Sequence, residues 1–345
     1  MQIGVGLDGT LALSWDDQAT LAREAAELGY TSIWTNEGTG LDAYQVCSHR
    51  WAASCDVVPG GITTGIAVSP VMYRSPMALA MSGGTLSQRT NGKFIMGIGT
   101  GGAYRPRARK ALGYPRVSSL ALMRDYLTVL RKLLDGELVD YAGDAVTLKQ
   151  AQLTIHPPPR TPLYLGSLGP EMLRLAGVCA DGVCLNWCSP THVAWSRERI
   201  NEGVKIAVRQ PSDVQMVQYI RICIDDDVDA SRRALVRATI GYALGMQVPT
   251  ERERQFGYRA HFERMGFADE LAMLDDMRRS GASMRQIVDA FPNALLNAVG
   301  YYGPPDGAAE AFRRLAEGLD TAIVRVVPAK PGIDAVRAVM KACQP

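Results

Sequence analysis

The chain has 345 residues, 47% of them hydrophobic and 21% charged, which is enough apolar material for a large core and too much for a disordered chain. Lys and Arg number 37 against 35 Asp and Glu, a formal net charge of +2. No basic run stands out, which argues against a dedicated nucleic-acid or membrane-surface protein and favours a small, roughly neutral partner. Residues 1–9 lack the charged and apolar regions of a signal peptide, and no stretch reaches the roughly 18 apolar residues of a membrane span. The expectation is a cytoplasmic protein without a membrane partner.

The seven cysteines are odd in number and thinly spread, unlike a disulfide framework. Cys184, Cys188 and His192 alone have metal-like spacing. Cys184 lies in an apolar run that reads as a buried strand, so no metal is expected.

In chain order, strand-like apolar runs fall at residues 2–7, 32–34, 62–68, 93–99, 163–167, 182–186, 215–224 and 321–327. Helical periods separate them, as in Leu21, Ala25 and Leu28 after the first run, or Leu120, Met123, Leu127, Leu130 and Leu134 after the fourth. Ser14 ahead of Asp16 and Asp17, Ser75 ahead of Pro76, and Ser118 ahead of a long periodic run all read as helix starts. Length alone would permit two domains. Eight βα units instead predict an α/β fold, a (β/α)8 TIM barrel over residues 1–345 as one domain, in preference to a doubly wound open sheet with fewer strands.

Three segments exceed ordinary connections and read as insertions. Residues 100–117 follow strand four and carry Gly101, Gly102, Arg105, Arg107 and Arg109. Residues 141–162 precede strand five, with a hairpin of 138–141 and 145–154 and then Pro157, Pro158 and Pro159. Residues 245–303 precede strand eight and are expected to hold two helices, with Arg252, Arg254, Phe256, Tyr258, His261 and Phe262 at their mouth.

In such a barrel the chemistry lies just after the strands. That points to Asp8, to Asn36 and Glu37, to Ser69, to residues 100–102, to residues 167–170 and to residues 186–188. The glycines at 97, 99, 101 and 102 either let a ring or a diphosphate tail approach the backbone or simply turn the chain. At 167–170 a strand ends, Ser167 follows, and Pro170 stands where a helix would begin, a start that offers free N–H groups to a phosphate. Ser-His-Asp order, a zinc-ligand helix and a P-loop lysine are all lacking, so an organic cofactor is expected to carry the chemistry. Glu37 and Asp8 are the candidate catalytic acids, and each either hands on a proton or caps a helix and pairs with arginine. Arg105, Arg107 and Arg109 either grip an acidic tail or form a solvated face.

Several blocks carry a resemblance. They are Ser32-Ile33-Trp34 leading to Asp42-Ala43-Tyr44, residues 64–70 with Arg74 and Pro76, residues 97–101, and residues 162–173 followed by Leu175-Ala176-Gly177 and residues 180–183. Together they resemble the bacterial luciferase-like superfamily, in its deazaflavin-dependent branch typified by methylenetetrahydromethanopterin reductase. The resemblance implies a barrel that binds coenzyme F420 at its C-terminal face and moves a hydride between the coenzyme and a small organic substrate. It places a non-prolyl cis peptide of a ring-supporting bulge on Ile66, Ala67 and Val68. It implies further coenzyme contacts at Asn36, Gly99, Thr100, Gly101, Gly166, Ser167, Leu168, Gly169 and Pro170. The family reductase's first-strand glutamate falls on Gly6, and its Asp-His pair falls on Asn36 and Glu37. Relatives in this branch act on alcohols, sugar phosphates or electron-poor aromatic and enone compounds. The alternative is an FMN-dependent monooxygenase, since FMN relatives in the superfamily activate oxygen. Residues 43–53 and 77–86, rich in small and apolar side chains, either form a homodimer face, as such barrels often do, or pack on the barrel.

Overall fold

The computed structural model describes residues 1–101, 106–157, 160–245, 248–249 and 254–345. Gly102, Arg105, Pro158, Pro159 and Arg252 lie outside the described residues. The strands are β1 (Gln2–Gly6), β2 (Ser32–Thr35), β3 (Thr63–Pro70), β4 (Phe94–Gly99), β5 (Val139–Ala142), β6 (Thr147–Ala151), β7 (Leu163–Gly166), β8 (Gly182–Asn186), β9 (Gln215–Ile224), β10 (Gly300–Gly303) and β11 (Thr321–Val326). Parallel pairing runs β1-β2-β3-β4-β7-β8-β9-β11 and returns to β1. The ring is therefore a closed (β/α)8 TIM barrel, with all eight expected strands in it. The β5–β6 pair is the antiparallel hairpin expected before the fifth barrel strand.

Return helices follow the strands: α1 (Trp15–Glu27), α2 (Ala43–Ser54), α3 (Pro76–Arg89), α4 (Pro106–Ala111), α5 (Ser119–Leu134), α6 (Pro170–Cys179), α7 (Pro190–Ile206) and α8 (Val228–Ala243). The cap chemistry matches the residues that signalled it. Ser14 and Asp17 form a reciprocal capping box on α1. Ser75 accepts from Ala78 N–H with Pro76 in the first turn of α3, and Ser118 accepts from Ala121 N–H on α5. On α5 the periodic Met123, Leu127, Leu130 and Leu134 are buried against the outer wall of the barrel.

Inside the ring a separate set of side chains is packed: Trp34, Tyr164, Cys184, Val217, Tyr219 and Ile323. Registers that pair Trp34 with Gly6 and Gly65, and Tyr164 with Gly97 and Gly182, put aromatic rings opposite glycines. The rings occupy the space a side chain would need. A Cβ on Gly65 would lie 2.4 Å from Trp34, and one on Gly6 would lie 2.6 Å from Tyr219. A glutamate at position 6 is thus excluded by the Tyr219 ring.

The segment before the last barrel strand is richer than the two helices expected. It contains α9 (Gly257–Phe262), a π-helical turn at Glu263–Phe267, α10 (Ala268–Arg279), α11 (Met284–Ala290), α12 (Asn293–Val299) and β10. Helices of six or seven residues span less than two turns, too short for a 3.6-residue period to declare itself. The segment packs its own apolar cluster, including Phe262, Leu271, Leu274, Phe291 and Leu295, onto α8 residues such as Leu235. β8 pairs with β9 only as far as Tyr219, and β10 takes over the same edge at Arg221–Ile224. After β10 the chain continues through α13 (Ala308–Leu315), β11 and α14 (Ile333–Ala342).

Candidate active site

The C-terminal ends of the strands define the barrel mouth. On one side of it β3 departs from regular pairing. Its register with β4 shifts between Ile66 and Ser69, and the Ala67–Val68 peptide bond is cis. Val68 is turned across the ends of β4 and β7, where Cβ atoms on Gly99 and Gly166 would stand 2.7 and 3.1 Å from its methyl groups. Gly101 has φ +53°, and a Cβ there would strike Pro70 at 2.6 Å, so the turn out of β4 requires glycine. Ile66 sends its side chain into the outer core and contributes only backbone to the bulge. Ala67, Val68 and Thr100 remain partly exposed.

Next to this floor, Gly169 precedes α6 and Pro170 occupies its first turn. Among the described residues no side chain caps that end, although Glu171 stands in its first turn, so backbone N–H groups at the positive end of the helix are left without a capping bond. Ser167 is buried beside it, and Arg264 of the π-helical turn donates to the Leu168 carbonyl at 3.0 Å.

Both candidate acids are held by neighbours. The Glu37 N–H donates to the Val68 carbonyl at 3.2 Å. Its carboxylate accepts both Arg74 terminal nitrogens at 2.6 and 2.7 Å, the Ser69 hydroxyl at 2.5 Å and the Ala43 N–H at 3.2 Å. Arg74 also bonds Asp42 at 2.6 Å, and Asp42 caps α2 through Tyr44 and Gln45. Hydrogen bonds to Glu37 and then Asp42 raise the Arg74 guanidinium above its usual value. One bidentate, charge-assisted network thereby joins the loop after β2, the bulge of β3 and the start of α2. Asn36, the preceding residue, stays exposed at the rim.

Asp8 caps the short turn Gly9–Leu11 by accepting from Thr10 N–H at 2.9 Å, and it forms an ion pair with Arg325 of β11. Burial pushes the Arg325 guanidinium down to about 10. Arg221 of β9, in register with Arg325, is also buried and stacks 3.6 Å from the Trp187 ring. Asn186 at the end of β8 donates to the Tyr258 hydroxyl at 2.7 Å. Below this corner, His261 bonds the Trp187 carbonyl through Nε2 at 2.8 Å, its ring 4.8 Å from that of His192. Burial lowers His192 to about 4 and His261 to about 3. Of the cysteines with metal-like spacing, Cys184 fills the barrel interior and Cys188 lies 3.8 Å from His261 Nε2.

Inspecting only the residues that follow strands passes over Arg221 and Arg325, which lie within them. The signal for both was an arginine at an inward register position in a mostly apolar strand.

The family model for luciferase-like monooxygenases matches residues 1–322. The chain belongs to that family. Among this member's relatives, the 5,10-methylenetetrahydromethanopterin reductase of Methanolobus tindarius is 26% identical over 314 residues, 91% of this chain and 90% of that one. The protein of the same name from Archaeoglobus fulgidus is 29% identical over 193 residues, a match spanning 56% of this chain and 57% of that relative. An F420-dependent glucose-6-phosphate dehydrogenase of Intrasporangium calvum is 27% identical over 250 residues, 67% of this chain and 73% of its own. Among solved structures, the coenzyme F420-dependent tetrahydromethanopterin reductase of Methanopyrus kandleri superposes with a TM-score of 0.75 at 21% identity, covering 98% of this chain and 96% of that one. An F420-dependent secondary alcohol dehydrogenase, solved with an F420–acetone adduct, also gives 0.75, at 17% identity and with 100% and 99% coverage. These superpositions establish the shared barrel.

Proposed function

We infer that this protein is a coenzyme F420-dependent oxidoreductase that moves a hydride between the coenzyme and a small organic substrate. The observation that carries the reading is the floor of the mouth. A register break between Ile66 and Ser69 turns Val68 across glycine ends at Gly99 and Gly166, beside the uncapped start of α6. Relatives named for F420 chemistry, matched over 67% and 86% of this chain, support it. The small, partly exposed residues fit a flat ring, and the free N–H groups of α6 fit an anionic tail. When bound, the deazaflavin supplies a two-electron hydride carrier.

Ala67 and Val68 back the ring, with Asn36 at its rim. Residues 99–101 and 166–170 line the tail, with the free N–H groups of the first turn of α6 as its donors. Glu37 is a positioning residue, because its donors are Arg74, Ser69 and Ala43 and its effect is exerted on the bulge. Asp8 fixes Arg325 on the opposite wall. The substrate carries an electron-poor C=C, C=N or C=O group, or in the reverse direction an alcohol or amine.

Titrating purified protein with F420 and with FMN, and following quenching of each cofactor's fluorescence, tests the reading. F420 is expected to bind at least tenfold tighter. Tight FMN binding with none for F420 would overturn it in favour of a monooxygenase.

A further inference from the structure

Arg221 is the most buried cation of the barrel mouth, 2% exposed. Its neighbour Arg325 has Asp8, and nearby Asp225 is taken by Lys330. Arg221 itself has no ion pair with a carboxylate among the described residues. One terminal nitrogen donates to the Tyr219 carbonyl at 3.0 Å, while Nε–H finds no acceptor among the described residues. Burying a guanidinium without a counter-charge is costly. Burial lowers its pKa only to about 10, so the group stays charged at neutral pH.

A second unsatisfied donor meets it. The Trp187 indole, stacked on the guanidinium at 3.6 Å, has an Nε1–H without a partner among the described residues. Trp187 adopts φ +60°, a left-handed conformation that costs a bulky residue and concentrates at ligand-binding positions. Two orphaned donors and one uncompensated positive charge call for an oxygen acceptor with negative charge.

Position says which molecule brings it. In the closed ring, β9 stands four strands from β3 in either direction, directly across the mouth from the Ala67–Val68 bulge. A coenzyme ring resting on β3, β4 and β7 would turn its free face toward β9.

We propose that Arg221, aided by the Trp187 indole N–H, anchors an oxyanion of the substrate, a carboxylate or a phosphate. The substrate's reducible or oxidisable carbon then lies between that anchor and the coenzyme. This rests on the coenzyme placement proposed above.

Titration of the wild-type protein with inorganic phosphate, and separately with acetate, tests it. Thermal midpoint and tryptophan fluorescence are followed, with and without F420. The expected result is a rise in midpoint that persists with F420 bound, the tighter anion identifying which oxyanion the substrate carries. Arg221→Met, which keeps the stem against Trp187, weakens anion binding at least tenfold and leaves F420 affinity within twofold. Arg221→Lys, which keeps the charge but loses the planar fork, restores part of it and serves if the Met variant fails to fold. Equal anion affinity in wild type and both variants would overturn the proposal. So would displacement of the anion by F420, which would assign Arg221 to the coenzyme's tail. If F420 does not bind but anion binding still depends on Arg221, the oxyanion site stands and the coenzyme reading falls.

Discussion

Across the barrel mouth, β3 brings its bulge at Ala67 and β4 and β7 end in Gly99 and Gly166, whereas β1, β9 and β11 bring Asp8, Arg221 and Arg325. The first side is made of backbone and small side chains, with Val68 laid over two glycines. It discriminates by shape, because a single added methyl collides there. The second side is made of buried charge, and it discriminates by electrostatics, because each guanidinium requires an acceptor. The Glu37–Arg74 network belongs to the first side although it is ionic, since what it grips is the bulge. One mouth thus presents a surface suited to a flat ring and, opposite, a wall suited to an anion.

The largest effect that would break this contrast is removal of Arg74. Arg74→Ala leaves the Glu37 carboxylate buried without its counter-charge, a loss of about 3–5 kcal/mol in urea unfolding. F420 affinity should fall at least tenfold as the bulge loosens. Arg74→Lys should not recover it, for want of the bidentate fork. A wild-type unfolding midpoint for Arg74→Ala would show that the network does not hold the bulge.

Acid sharpens the charged side. His192 and His261 are held below the ordinary value of 6.5 by burial. From pH 6.5 down to about 4 for His192 and about 3 for His261, the unfolded chain therefore binds protons that the native state refuses, and stability falls as pH falls through that window. Each histidine contributes at most about 2 kcal/mol of loss between pH 6.5 and 5. Denaturant titrations at pH 7 and 5 should show that His192→Gln removes its share. An unchanged pH dependence in that variant would mean that His192 is not held neutral.

On the small-residue side, Gly99→Ala should cost about 1–3 kcal/mol through the clash with Val68. It should also weaken F420 binding while leaving anion binding at Arg221 alone. Val68→Ala in the same chain should recover part of the stability, and additive effects of the two changes would show that the contact is not shared. The smallest expected effect is that of Tyr258→Phe, which strips Asn186 of its acceptor and should cost about 1 kcal/mol in unfolding free energy. No change would place that hydrogen bond outside the folded-state balance.

The barrel was legible because each of its strands is a short apolar run bounded by turn residues, and because Ser14, Ser75 and Ser118 announce helix starts by local chemistry. The region before β11 was only partly legible. β10 is four residues, Gly-Tyr-Tyr-Gly, whose strand character comes from the open edge of β9 beyond β8. Ser283 with Gln286 did carry a capping-box signal for α11, unread because the helix behind it is so short. In the site, Glu37 was visible as a strand-end acid. That it pairs with arginine was one of two open readings, but its partner was not legible, because Arg74 is 37 positions away and brought close only by β3 folding beside β2. Arg221 was hidden for the opposite reason. An inward arginine acquires meaning only once the ring closes and shows what lies across from it.

The contrast between the two sides is tested most directly by a crystal structure of the protein grown with F420. The predicted result is density for the deazaflavin over Ala67–Val68 and between Gly99 and Gly166, its tail at residues 167–170, with Arg221 facing the uncovered side of the ring. Density for the ring against Arg221 and Arg325, with the bulge left open to solvent, would contradict it.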